Sequence, residues 1–213
     1  MKSFFCMLFG ATLFFAGGFA ANAAAAQTPG PEALAKQVTN DVLSAVRSDA
    51  ALRHGNKQKL LELVESKVLP HFDFHRMTQL AMGRNWRKAN ADQQQTLVKQ
   101  FRDLLVNTYT NAFTQYRDQT VSYMPVRMQP GDTDVTVRSR INQPGGQAIP
   151  VDYAMEKLSD GWKVYDVTIE GISLVQTYRG TFDQEVQRGG VDGLIKAITA
   201  KNQALRAARQ QGQ

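Results

Sequence analysis

At Val121 the spacing of apolar residues changes from a period of about 3.6 to a period of about 2, and that switch restricts the fold more than any other feature of the chain. Beyond it, Met124, Val126 and Met128 alternate with polar neighbours. Pro130-Gly131-Asp132 turns the chain, and Val135, Val137 and Ile141 then alternate with Thr136, Arg138 and Arg140. Pro144-Gly145-Gly146 turns it again, ahead of Ile149, Val151, Tyr153 and Met155. Ser159-Asp160-Gly161 makes the last turn, before a strand from about Trp162 to Ile169. Four alternating strands joined by tight turns specify an antiparallel meander. Such a sheet has one apolar face that must be covered, and the helices before and after it in sequence are the available cover.

Those helices are legible from their stripes. Leu34, Val38, Val42, Ala45 and Val46 recur at helical spacing until His54-Gly55-Asn56 interrupts them. Leu60, Leu61, Val64 and Val68 mark a second helix that ends before Pro70. Phe72, Phe74, Met77, Leu80, Ala81 and Met82 mark a short one ending at Gly83. Asn90 and Gln93 have the spacing of a capping box. They open the longest helix, whose stripe runs Leu97, Phe101, Leu104, Leu105, Thr108, Tyr109, Ala112, Phe113 and Tyr116. After the sheet, Leu174, Tyr178, Phe182 and Val186 share a face until Gly189-Gly190 stops the helix. Val191, Leu194, Ile195 and Ile198 begin a final helix, with a polar and frayed tail expected from about Gln203.

The first 26 residues are expected to be a cleavable signal peptide: Lys2, then an apolar run from Phe4 to Ala20, then small residues. Cleavage fits after Ala23 or Ala26, the latter preferred, leaving residues 27–213 as one domain. The single cysteine, Cys6, lies inside the signal and too early to become a lipid anchor. The mature chain therefore holds its fold by core burial, without disulfides. No later segment is long and apolar enough to span a membrane. The net charge is +6, with basic residues scattered along the sequence, so nucleic acid is not an expected partner.

Catalytic and metal constellations are sparse. His71, Asp73 and His75 form the densest polar cluster, but Asp73 would point away from a face shared by the two histidines, so no metal site is expected. The simpler reading makes Asp73 the N-cap of a helix. There is no Gly-x-Ser-x-Gly elbow, phosphate loop or dinucleotide fingerprint, and Ser173 reads as a helix cap. No enzyme activity and no cofactor are expected.

The segment Asp166 to Arg179, DVTIEGISLVQTYR, followed by Phe182, resembles the signature of the MlaC family of toluene-tolerance auxiliary proteins. Upstream, Pro70-x-Phe72-Asp73-Phe74-x-x-Met77, Gly83-x-x-Trp86 and Leu105-x-x-x-Tyr109 also match, in family order, over nearly all of the mature chain. Thr177 departs from the pattern, where Asn is expected, and His71 and His75 are peculiar to this sequence. The resemblance implies an α+β fold: a four-stranded meander wrapped by N- and C-terminal helices, an NTF2-like or cystatin-like cone around an apolar cavity. It implies a soluble, monomeric periplasmic carrier that moves phospholipid, its cargo, between an outer-membrane MlaA-type lipoprotein with porin and an inner-membrane MlaD-type ABC transporter complex. On that reading the lipid-binding residues are drawn from Met77, Leu80, Leu105, Tyr109, Val137, Tyr153, Met155, Val167, Ile169, Leu174, Val175 and Tyr178. Arg179 either meets a headgroup or forms a structural ion pair with Asp166. Arg84, Arg87, Lys88, Arg138 and Arg140 either steer docking to acidic partners or anionic membranes, or simply face solvent.

Two other classes remain open at this point. A cone of this kind can host acid/base chemistry on an apolar substrate, with Asp152 and Asp166 as candidates, although alternation puts Asp152 on the polar face beside Glu156. A stripe of leucine and phenylalanine is also what a closed-core structural or adaptor protein would carry.

Overall fold

Most helices of the chain start on a side chain able to satisfy their first free amides, and this fixes where each begins. In the computed structural model, which describes residues 29–110 and 119–211, α1 (Pro31–Ser48) opens with proline at its first position, where no amide is lost. Asp49 ends α1, and its Oδ1 accepts from Ala51 N at 2.7 Å to start the short α2 (Ala50–Arg53). Asn56 caps α3 (Lys57–Lys67), and a 3-10 turn follows at Leu69–His71. Asp73 caps α4 (Phe74–Met82) through Arg76 N at 2.9 Å, as its sequence position suggested. A 3-10 turn at Gly83–Lys88 leads to α5 (Ala91–Tyr109), where both halves of the Asn90–Gln93 capping box form. Ala112, Phe113 and Tyr116 of the expected stripe lie outside the described residues.

The sheet is antiparallel in the order β1-β2-β3-β4-β5: β1 (Thr120–Tyr123), β2 (Asp134–Asn142), β3 (Ile149–Leu158), β4 (Gly161–Ile169) and β5 (Ile172–Ser173). It differs from the expected four-stranded meander at both edges. The first strand stops at Tyr123, because Pro125 has no amide to donate and Val126 N turns to Glu32 Oε2 on α1, at 3.2 Å. At the other edge Glu170 and Gly171, with φ of 52° and 83°, make a two-residue turn that folds Ile172 and Ser173 back on β4. The fifth strand is too short to show any alternation.

Within β4 strict alternation fails usefully. Val164 and Val167 are both buried although they stand three residues apart. The register against β3 shifts at Ala154/Met155, where Tyr165 is the extra residue of a β-bulge. The bulge keeps both valines inward and sends Tyr165 to the opposite face, where its hydroxyl donates to Asp134 Oδ1 at 2.7 Å.

α6 (Leu174–Gln211) is two helices joined at Gly189-Gly190, where Gly190 has φ of 68°. The polar tail is helical to Gln211, contrary to the fraying expected after Gln203. The reason is a row of bonds to α5: Asn202 Nδ2 donates to Gln100 O at 2.9 Å, Arg206 pairs with Asp103 at 2.6 Å, and Arg209 bonds Asn107.

Burial sorts into two apolar clusters. A helical cluster from α4, α5 and α6 holds Met77, Ala81, Leu97, Phe101, Leu105, Val175, Phe182, Leu194 and Ile198. A sheet cluster holds Val135, Val137, Val151, Met155, Trp162, Val164 and Val167 under Leu34 of α1. Phe72 packs against both.

Candidate functional site

The sequence motif that carries the resemblance folds into the joint between these clusters. Asp166 organises it. Its Oδ1 accepts from Val167 N at 2.8 Å and Val175 N at 3.2 Å, and its Oδ2 accepts from Ser173 Oγ at 2.5 Å. Ser173 in turn caps α6 by accepting from Gln176 N at 2.9 Å. This acid therefore fixes the angle at which α6 leaves the sheet, and with it the positions of Leu174 and Val175 on opposite sides of the joint.

The expected lining residues divide evenly. Met77, Leu80, Leu105, Tyr109, Val175 and Tyr178 belong to or pack on the helical cluster. Val137, Tyr153, Met155, Val167, Ile169 and Leu174 belong to or pack on the sheet cluster. Met77, Leu105, Val137, Met155, Val167 and Val175 are 0 to 8% exposed, so these side chains are packed rather than open to solvent. Phe72, which touches both groups, was not among the expected lining residues; its motif was visible, but nothing in a local pattern tells which side chain bridges two cores.

Both clusters carry phenols at their margins. Burial, with the Tyr178 phenol alongside, pushes Tyr109 up to about 12. Burial likewise pushes Tyr153 up to about 12, with Tyr123 adjacent and a Ser139 hydrogen bond acting the other way. Both stay neutral across physiological pH, so the region offers hydroxyl groups without charge.

The polar expectations resolve differently. Arg179 is exposed and does not pair with Asp166, whose oxygens are taken by the joint. Its guanidinium instead lies 3.2 Å from where a Cβ at Gly83 would stand, and Gly83 holds a φ of 53°. Asp152 sits on the outer face, 3.9 Å from Arg138 Nε. His75 stands edge-on to Trp86, with ring centroids 5.2 Å apart. Burial, then the charge of Lys163, holds His71 below its ordinary value. Among the described residues no three acidic, histidine or cysteine side chains gather as a metal site, and no helix is long and apolar enough to cross a membrane.

Two open clefts lie away from the joint. One, of about 450 Å3, runs between α3, α5 and the end of α6, with Leu61 and Val106 beneath Arg102, Asp103, Arg206 and Arg209. The other, of about 340 Å3, is formed by Pro31, Ala33, Val126 and Met128. Neither is lined by any of the expected lipid-binding residues.

Comparison with known proteins places this arrangement. The sequence model of the MlaC protein family matches residues 36–200. The toluene tolerance protein ttg2D of Pseudomonas putida is 25% identical over 169 residues, covering 79% of this chain and 77% of the relative. The intermembrane phospholipid transport system binding protein MlaC of Haemophilus influenzae is 21% identical over 168 residues, covering 78% of each. A phospholipid-binding protein from Ralstonia solanacearum, solved in complex with a phospholipid, superposes with a TM-score of 0.76 at 43% identity, covering 82% of this chain and 98% of its own.

Proposed function

The chain belongs to the MlaC family, and from that premise we propose that it is a periplasmic phospholipid carrier whose acyl chains lodge between the helical and sheet clusters. The observation that carries this reading is the Ralstonia solanacearum relative, which shares 43% of its residues over 98% of its own length and was solved with a phospholipid bound. The signal peptide is removed on export, and the mature chain travels as a monomer. It takes up and delivers lipid at an MlaA-type outer-membrane lipoprotein and an MlaD-type inner-membrane transporter. Its fold is the NTF2-like cone, with the joint as the cavity.

The energetics define what such a carrier must offer. A phospholipid with about 30 methylenes faces a cost of order 20 kcal/mol if they are exposed to water, at roughly 0.8 kcal/mol each. Only an extended apolar surface offsets that, and the two clusters supply it from side chains that are already buried. Because those side chains are in contact, the clusters part as lipid enters. The neutral phenols Tyr109 and Tyr153 add hydrogen-bonding capacity without a fixed charge, which suits cargo that must also be released.

Organic extraction of the protein purified from a Gram-negative host, followed by mass spectrometry, tests this directly. Near-stoichiometric phospholipid is expected; protein that carries none under gentle purification would reinstate the closed-core or enzyme readings. Val167→Asp, on the sheet side, is expected to lower the co-purified lipid while the helical circular dichroism signal persists. Full lipid loading in Val167→Asp and in Tyr178→Ala alike would show that the joint is not the site.

A further inference from the structure

Three basic residues close in sequence share one exposed turn, and a fourth reaches it from α6. Arg84, Arg87 and Lys88 are exposed on the 3-10 turn Gly83–Lys88. Residues three apart eclipse on a 3-10 helix, which places Arg84 and Arg87 side by side. Arg179, exposed on α6, brings its guanidinium across Gly83 at 3.2 Å from the position of a Cβ. The acid among them is Asp183, one helical turn beyond Arg179. It accepts from Asn85 Nδ2 at 2.8 Å and Gln187 Nε2 at 2.7 Å, while Arg84 Nη2 stands off at 3.7 Å. Arg84 and Lys88 thus flank one carboxylate.

Several cations elsewhere on the surface are paired locally. Lys36, Lys59, Arg76, Arg102, Lys163, Arg188 and Arg206 each have a carboxylate within about 3 Å. Among the described residues Arg87, Lys88 and Arg179 have no acidic partner within 4.0 Å. Nor does the turn use these charged heads to hold its shape. Its anchors are Asn85, 2% exposed and bonded to Asp183, and the Trp86 carbonyl, which accepts from Gln94 Nε2 at 3.2 Å. Like charges crowded this way oppose folding slightly, and an anion facing them relieves that repulsion.

We infer that Arg84, Arg87, Lys88 and Arg179 form a docking patch for an anionic bilayer surface. The choice of a bilayer rests on the phospholipid-carrier reading; the existence of an anion-seeking patch does not. Two observations favour a membrane over an acidic protein. The patch stands on a turn outside both open clefts, so it is shaped to meet a broad array of anions rather than one enclosed group. Trp86 lies half-buried among the cations, with the exposed His75 edge-on at 5.2 Å. An indole flanked by long basic side chains is the composition that settles at a headgroup boundary, with apolar stems inward and charges at the phosphates. Docked so, the carrier waits at the bilayer with its lipid joint a short reorientation away.

Each basic residue near an anionic surface strengthens binding about fivefold. The test is co-flotation of the purified protein with vesicles of pure phosphatidylcholine, or of phosphatidylcholine with about a third phosphatidylglycerol, in low and high salt. Wild-type protein is expected to bind the anionic vesicles in low salt, to release in high salt, and to ignore the neutral ones. Trp86 fluorescence should shift to the blue on binding, since the other tryptophan, Trp162, is only 5% exposed. The double variant Arg87→Gln/Lys88→Gln should bind about 25-fold more weakly. Arg138→Gln/Arg140→Gln, which removes the same charge from the sheet, should bind within a fewfold of wild type. Equal losses in the two variants would reduce the effect to net charge and overturn the patch. So would equal binding to neutral vesicles, or no binding to anionic vesicles even in low salt, the outcome an acidic protein partner predicts. Phospholipid co-purified with every variant is read alongside: its absence from wild type defeats the carrier reading, while loss of vesicle binding with cargo retained bears on the patch alone.

Discussion

The helical cluster and the sheet cluster are closed by different means. In the helical cluster large rings interlock: Phe101 meets Tyr178 and Phe182 edge-to-face, each at 5.1 Å, and Tyr178 and Phe182 lie 5.7 Å apart. Phe101 is completely buried, and three helices contribute to its surroundings. The sheet cluster is mostly valine, as a pleated surface favours, and α1 packs on it together with Phe72 and Leu174. α1 sends one buried side chain onto the sheet, Leu34, with Ala35 and Val38 partly buried beside it. Polar contacts hold the helix there: Thr39 Oγ1 and Tyr123 OH at 2.6 Å, Tyr123 OH to Ala35 O at 3.0 Å, and Val126 N to Glu32. A region that opens transiently is one with few buried apolar contacts, and α1, which meets the sheet cluster through one buried leucine and part-buried hydrogen bonds, comes nearer to that description than Phe101 does. The difference teaches which side of the joint yields more readily: the sheet side, under α1.

The largest effect expected from this comparison is Phe101→Ala, at about 4 kcal/mol of unfolding free energy, because its rings cannot close over the hole. Leu34→Ala should cost about 2 kcal/mol, near the low end for leucine, because the helix end can settle onto the sheet. Denaturant midpoints at constant slope measure both. Equal costs would break the comparison by making α1 as integral as the aromatic core. Below these comes Tyr123→Phe, which removes a hydroxyl joining β1 to α1 and should cost about 1 kcal/mol. Its sharper readout is hydrogen exchange: amides of α1 should lose protection while those of α5 keep theirs. Parallel loss in both helices would mean that α1 opens only when the whole domain unfolds.

How far this arrangement was legible beforehand follows from the range of each interaction. Caps are local, so Asn90 with Gln93, Asp73 and Ser173 could be read directly, and their helices start where expected. Alternation is local too, and it located β2, β3 and β4. Where a long-range bond overrides local pattern, reading failed. Val126 leaves the sheet for Glu32, 94 residues away, and the polar tail is helical because Arg206 and Asp103, 103 residues apart, meet. The division of the expected lining residues between two clusters was invisible for the same reason, as was Phe72 between them. Arg179 was recognisable as a notable cation, but its neighbour Gly83 comes from another part of the chain, so neither the missing Asp166 pair nor the place of Arg179 beside the basic turn could be foreseen.

The smallest effect concerns the clasp between the two regions. Arg76 of α4 bonds Asp134 and Glu156 at 2.8 Å each, and its guanidinium stacks 3.5 Å above the Tyr165 ring. Glu156 is the strained member. Its Oε1 is buried without a hydrogen-bond partner, and Lys163, opposite it on β4, is engaged with Asp160 and Pro70 O. Burial, with the Asp73 carboxylate adding like charge, holds the Glu156 carboxyl above its ordinary 4.5, even though Arg76 pulls it down. The native state therefore binds this proton more tightly than the unfolded chain does. The stability it contributes is complete below about pH 4.5 and is lost as pH rises through the raised native value. Glu156→Gln keeps an oxygen for Arg76, offers an amide hydrogen toward Asp73, and removes the titration. It should raise stability at pH 7 and flatten the slope of stability against pH just above 4.5, as measured by denaturation across that range. If Glu156→Gln instead weakens the fold at pH 7 as much as Arg76→Ala does, the ionised pair with Arg76 outweighs burial. The clasp would then bind the helical cluster to the sheet most firmly at neutral pH, and parting of the two clusters would have to begin at α1 rather than at α4.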